Sequence, residues 1–146
     1  MNVTFSHLGI CVSDLGRSMR FYCEGLGFEP AQAHTVGGEF GRLMELDDVV
    51  LQSRFVRRDG VSLELLHFDS PGHSGGTERR PMNQLGITHL SLRVDDLDGV
   101  AHVIESLGGT VVTSTRTTLG PSENPLDFVY CTDPDGVRIE LMHLPG

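Results

Sequence analysis

Two stretches of this chain are near copies of one another: DGVSLELLHF at residues 59–68 and DGVRIELMHL at residues 135–144. A chain duplicated at this spacing builds its fold from two copies of one supersecondary unit, and neither copy is large enough to bury its apolar face comfortably alone. The duplication extends well beyond the closing strand. HLGICVSDLGRSMRFYCEGLGF begins at His7 and HLSLRVDDLDGVAHVIESLGGTV begins at His89. Each reads as a strand, an Asp-containing turn, an amphipathic helix and a glycine turn into further strands.

Asp14 and Asp95 or Asp96 suit helix N-caps. The helices are expected over 15–24 and 97–107. In the second, Leu97, Val100, Ala101, Ile104 and Leu107 recur at the spacing of one buried face. Gly25, Gly27, Gly108 and Gly109 stand where a helix needs a left-handed exit. Strand material follows over 28–36, 40–46, 49–56 and 61–68 in the first copy, and over 110–118, 125–132 and 137–144 in the second. RRDG and DPDG supply the turns before the last strands. The expected fold is α+β, two tandem βαβββ modules. On this reading residues 1–146 form a single domain, with module 1 over 1–68, a polar Gly- and Pro-rich linker over 69–86, and module 2 over 87–146.

Strand parity sorts the polar residues. Leu8, Ile10 and Val12 form one apolar set and Leu90, Leu92 and Val94 another, with His7 and His89 on the opposite parity. Val61, Leu63 and Leu65 mirror Val137, Ile139 and Leu141, leaving Glu64 and Glu140 opposed to them. One His and one Glu per copy thus take equivalent places on the face turned away from the helices, where all four can converge. Imidazole nitrogen and carboxylate oxygen both suit first-row divalent cations. His67 and His143 share the parity of Leu65 and Leu141 and read as strand-end residues. His34, His73 and His102 have no counterpart in the other copy and read as surface or loop residues. Cys11 shares the parity of His7 and reads as a buried thiol. Glu45, in the longer connection of the first copy, is a further acid without a counterpart.

Charge and composition exclude other classes. With a formal net charge of −9 the chain offers no continuous basic surface for nucleic acid. No apolar run reaches the roughly 18 residues of a membrane span. The start, MNVTFSHLGICV, shows no basic-then-apolar leader. Three cysteines at scattered spacings fit a reducing cytoplasm better than a disulfide framework.

The segments SHLGICVSDLGRSMRFYCEGLGF, DGVSLELLHF, THLSLRVDDLDGVAHVIESLGG and YCTDPDGVRIELMHL resemble the vicinal oxygen chelate superfamily, which includes glyoxalase I, methylmalonyl-CoA epimerase, extradiol dioxygenases, fosfomycin-resistance enzymes and bleomycin-binding proteins. The resemblance spans nearly the whole chain, the linker excepted. It implies paired modules whose mixed sheet curls into an incompletely closed cup with helices on the outer face, one divalent metal ion (Ni, Zn, Co, Mn or Fe) held by His7, Glu64, His89 and Glu140, a small-molecule substrate with vicinal oxygens, and a homodimer. The His-Glu-His-Glu set leans toward the glyoxalase-like branch. The implied activity is that of a lyase or isomerase moving a proton next to a carbonyl through a metal-stabilised enediolate, with Glu140 as first and Glu64 as second choice of base. Epimerisation is the same chemistry with the proton returned to the opposite face.

Counting back from the aligned Asp-Gly pairs sets Gln52 level with Phe128 and Arg54 level with Tyr130. These four, with Arg93, are the expected substrate-binding residues, the arginines for an anion and the aromatics for an apolar group. Two alternatives compete: an Fe(II) extradiol dioxygenase acting on a catechol, which Glu64 disfavours because a fourth protein ligand occupies a position needed for substrate or oxygen, and a non-enzymatic module that sequesters a small molecule, such as an antibiotic, and has no use for a metal. No residue set matching a glutathione-binding surface, a CoA pattern or a potassium loop is recognisable.

Overall fold

The computed structural model describes residues 1–145; Gly146, the last residue of the expected second module, lies outside them. The chain divides into two compact units, Met1–Gly75 and Gly76–Gly146. In the first, β1 (Leu8–Cys11), α1 (Leu15–Met19), a π-helical turn (Arg20–Gly25) and β2 (Glu29–Val36) are followed by a 3₁₀ turn (Gly38–Phe40), α2 (Gly41–Met44), β3 (Val50–Arg58) and β4 (Val61–Ser70). The second contains β5 (Leu90–Arg93), α3 (Leu97–Ser106), β6 (Thr110–Leu119), β7 (Leu126–Thr132) and β8 (Arg138–His143). The strand orders are β1-β4-β3-β2 and β5-β8-β7-β6. In each sheet the first and last strands run parallel and the remaining pairs antiparallel. The units therefore repeat strand for strand as tandem βαβββ modules, each with an open four-stranded mixed sheet.

Local chemistry starts both main helices as the sequence implies. Asp14 accepts the Arg17 N–H at 2.8 Å and Asp96 accepts the Gly99 N–H at 2.9 Å, each satisfying a first-turn donor that has no partner inside the helix. The α1 segment packs on β4 and places Phe21 and Tyr22 in a core with Val12, Val56, Leu63 and Leu65. The α3 helix packs on β6, β7 and β8 through Leu97, Ala101 and Ile104, above Val129, Cys131, Ile139 and Leu141. Leu63 and Leu65 have no exposed surface; truncating either to Ala costs about 2–5 kcal/mol. One face of each sheet is thus consumed by core packing, and the other is left to polar residues.

Several local expectations are corrected. Residues 40–46 are not a strand. Their Leu, Met, Arg and Glu content favours a helix, and the backbone takes the 3₁₀ turn and α2 instead. The segment closes with Glu45 in the left-handed conformation (φ 56°) and the Leu46 N–H on the Gly41 carbonyl at 3.0 Å. A Cβ at Gly41 would meet the Leu46 carbonyl oxygen at 2.7 Å, so this tight turn requires glycine. The first expected helix changes from α to π at Arg20. Among the four expected exit glycines, the left-handed conformation falls to Gly27 and Gly108. Cys11 is exposed, not buried: it lies on the face of β1 away from the core residues Ile10 and Val12.

Candidate metal centre

In the first unit β1 runs parallel to β4, with Gly9 level with Glu64. His7, just ahead of β1, directs Nε2 to Glu64 Oε2 at 3.1 Å. Its Nδ1 lies 2.9 Å from Ser6 Oγ, and its ring meets Phe55 edge-on with centroids 5.1 Å apart. Glu64 Oε1 accepts from Ser53 Oγ at 2.6 Å, a donor supplied by β3. The imidazole is fixed in position and plane while the carboxylate keeps one oxygen facing it.

The second unit repeats the arrangement. Ser91 is level with Glu140, and His89 Nε2 lies 3.6 Å from Glu140 Oε2. Thr88 Oγ1 is 2.9 Å from His89 Nδ1, and Tyr130 takes the place of Phe55, with ring centroids 5.5 Å from His89. The serine donor to the carboxylate, Ser91 Oγ to Glu140 Oε2 at 2.7 Å, comes here from the parallel neighbour β5. Where the adjacent hydroxyl accepts from Nδ1–H, each histidine turns an Nε2 lone pair toward a carboxylate. Two electron-rich groups so opposed call for a proton or a cation, and a hydroxyl on Nδ1 is the outer partner that a metal-bound imidazole uses. The donors present therefore suit a divalent ion, two per unit. Among the described residues, no three or more His, Cys, Asp or Glu side chains are grouped so as to hold a metal ion.

The register overturns part of the expected substrate face. Glu64 pairs with Phe55 and Glu140 with Tyr130. Phe55, not Arg54, is therefore the equivalent of Tyr130, and Ser53, not Gln52, the equivalent of Phe128. The cause is a difference between the turns. Arg58 and Val61 flank a tight turn at Asp59 and Gly60, both with positive φ. Thr132 and Arg138 flank the longer turn over 133–137, where the Asp133 carboxylate accepts from the N–H groups of Asp135 and Val137. One residue of slip in a strand moves every side chain to the other face.

Gln52 and Arg54 consequently share the parity of Leu65, away from Glu64. Gln52 accepts from Thr35 and donates to Asp69, and Arg54 donates to the carbonyls of His34 and Ser53. Phe128, Tyr130 and Arg93 do lie on the Glu140 face, with Phe128 and Arg93 both level with Met142. His67 and His143 stand on the core-side parity and use Nδ1 to reach the carbonyls of Val12 and Val94, at 3.2 and 3.1 Å. His34, read as a surface or loop residue, is an exposed residue of β2 level with Ser53, its ring 6.0 Å from Phe55 and so on the Glu64 face. Phe55, Ser53, Arg57 and Arg138 also belong to the carboxylate faces and were missed. The strand pairing identifies them, and no one-dimensional pattern separates them from their neighbours.

Comparison with known proteins agrees with this architecture. The chain is 28% identical over 138 residues to a probable lactoylglutathione lyase of Synechocystis, covering 93% of this chain and 92% of that protein. It is 25% identical over 138 residues to an ethylmalonyl-CoA/methylmalonyl-CoA epimerase of Cereibacter sphaeroides, covering 93% and 94%. A glyoxalase family protein from Bacillus cereus has a similar fold, with a TM-score of 0.83 at 20% identity over 100% of this chain and 97% of that one. The fosfomycin resistance protein FosX from Listeria monocytogenes, in a complex with Mn(II) and sulfate, gives a TM-score of 0.61 at 16% identity over 98% and 93%. The family model for these proteins matches residues 4–141, a span that takes in both βαβββ copies and both His–Glu pairs: the chain belongs to the Glyoxalase/Bleomycin resistance protein/Dioxygenase superfamily.

Proposed function

We propose that the protein is a divalent-metal-dependent lyase, isomerase or epimerase that moves a proton on carbon next to a carbonyl, with His7, Glu64, His89 and Glu140 as metal ligands and a small molecule bearing vicinal oxygens as substrate. The observation that carries this reading is the repetition of one His–Glu pair in both units, each with a hydroxyl on Nδ1 and a serine on the carboxylate. Retention of four such donors favours catalysis over sequestration, and the relatives include a lyase and an epimerase.

A bound divalent ion would polarise the substrate's vicinal oxygens and so acidify the adjacent C–H. The chain's own groups do the rest. The carboxylates of Glu140 and Glu64 are the proton acceptors, Glu140 first. Ser53 and Ser91 hold them in orientation, because a carboxylate with a fixed oxygen loses less rotational freedom on accepting a proton. Phe55 and Tyr130 pack edge-on against the two imidazoles and help to orient them.

The test is metal analysis of protein purified without chelator, with solvent-deuterium incorporation next to the carbonyl of 2-oxo and 2-hydroxycarbonyl compounds. Stoichiometric metal, lost in Glu140→Gln, together with exchange in wild type alone, is the expected result. Iron with oxygen uptake on catechols would move the protein to the dioxygenases, and failure to load any metal would make it a binding module.

A further inference from the structure

Beside the His–Glu pair, each unit carries a second matched rung. Two residues along from the Phe55–Glu64 pair stands Arg57 opposite Ser62, and two along from Tyr130–Glu140 stands Thr132 opposite Arg138. Both rungs hold one arginine and one hydroxyl, with the strands exchanged. Arg138 is buried, stacked over the Tyr130 ring at 4.8 Å, and spends a donor on the Arg80 carbonyl. Arg57 is exposed and differs in what holds it.

The Arg57 guanidinium is oriented by neutral groups: Nη2 donates to Gln32 Oε1 at 2.9 Å and Nε to Ser62 Oγ at 3.4 Å. Among the described residues no carboxylate forms an ion pair with it, although Glu29 is its partner across the strands. Arg57 lines a cleft of about 690 Å³ together with Glu29, Ser62 and Ser6, the residue whose hydroxyl holds the His7 ring. Arg58, in the same cleft, is committed to the Leu26 carbonyl and Asp59. An oriented, uncompensated guanidinium is a receptor for a planar or tetrahedral oxyanion, which it meets with two parallel N–H bonds.

We propose that Arg57 sets the substrate specificity of this site by receiving an oxyanion, carboxylate or phosphate, that the substrate carries away from its vicinal oxygens. Two residues along a strand is roughly 7 Å, so the oxyanion stands about that far from the oxygens at His7 and Glu64. The inference rests on the proposed metal role of that pair. It transfers to Arg57 the task that register counting gives to Arg54.

Two measurements test it separately from the metal. In metal-free protein, inorganic phosphate is titrated while the Arg57 side-chain N–H resonance is followed by NMR. In metal-loaded protein, acetohydroxamate is compared with glutaric monohydroxamate, which adds a carboxylate at about the required distance, and with a phosphonate of equal length. Phosphate should shift the Arg57 resonance saturably, and the anionic hydroxamates should bind about 10- to 100-fold tighter than acetohydroxamate. Arg57→Gln should erase that preference at unchanged metal content, Arg57→Lys should restore part of it, and Glu29→Gln should increase it. The preferred oxyanion is the one that gains more. A phosphate response with no hydroxamate binding would leave the anion site standing and remove the metal reading. An unmoved Arg57 resonance, or an Arg57→Gln variant that still prefers the anionic hydroxamates, would overturn the proposal.

Discussion

The Ser53 hydroxyl donates to Glu64 Oε1 across 2.6 Å from the antiparallel neighbour strand. Its counterpart in the second unit, Ser91, serves Glu140 from the parallel neighbour. The same hydroxyl–carboxylate bond is thus built from opposite sides, and the two serines differ in exposure: Ser53 is buried and Ser91 exposed. Water replaces a lost hydroxyl at Ser91 but not at Ser53. Ser53→Ala is expected to weaken metal affinity about 10- to 100-fold, and Ser91→Ala to weaken it less, as measured by competition with a chelating dye. Equal effects would show that burial of the donor is irrelevant.

The two histidines just ahead of strands and the two within strands separate by face. His7→Ala and His89→Ala are expected to abolish metal binding, while His67→Ala and His143→Ala leave metal content intact. His67→Ala loses the bond from Nδ1 to the Val12 carbonyl and the pairing of Nε2 with Asp69 at 3.4 Å, and His143→Ala the bond to the Val94 carbonyl, at about 1 kcal/mol of stability per hydrogen bond. Metal content by mass spectrometry and thermal melts of the four variants check both halves of this statement.

The ion pairs of Arg116 predict an acid dependence. Its guanidinium binds Asp127 through two nitrogens and Asp98, at the start of α3, through a third. The paired guanidinium, joined by the Thr118 hydroxyl, holds the Asp127 carboxyl below its ordinary range. A carboxyl depressed in the fold contributes stability that is present above its unfolded pKa and lost as the pH falls through the folded value. Arg116→Ala should cost about 1–2 kcal/mol at pH 7, discounted because the arginine is over a third exposed. The gap between variant and wild type should narrow as the pH falls below about 4, where the unfolded carboxyl begins to protonate first. Urea unfolding at pH 7 and at steps below about pH 4 measures it, and a gap that does not narrow there would contradict the assignment.

Cys131 and Cys11 should behave oppositely toward thiol reagents. Cys131 sits in the core against Ile139, and burial, with a smaller contribution from Glu105, pushes its thiol up to about 11. Cys11 is exposed. At pH 8 a disulfide reagent should label Cys11 promptly and Cys131 only on unfolding. Because the folded thiol is the weaker acid, the native state loses stability as the pH rises from about 9 toward 11. Fast labelling of Cys131 in native protein at pH 8 would refute this.

The sequence by itself determined the duplicated βαβββ order, the N-cap at Asp14 and, to within one residue, that at Asp95 or Asp96, the core parity of Leu63, Leu65, Ile139 and Leu141, and which face His7, Glu64, His89 and Glu140 take. These follow from local periodicity: each depends on counting residues within one strand or one helix turn, and such counts survive translation into three dimensions. Residues 40–46 escaped because a short apolar run carries too few turns to separate strand from helix.

The tertiary structure alone decided what stands beside each carboxylate. That depends on the register between strands, and register depends on how many residues each hairpin turn consumes. The Asp59–Gly60 turn and the longer turn stitched by Asp133 differ by one residue relative to the aligned Asp-Gly pairs. That single residue turned Gln52 and Arg54 away from Glu64 and brought in Ser53, Phe55 and Arg57. A strand alternates its faces with every residue, so an error of one in a turn exchanges the whole substrate face for the opposite one.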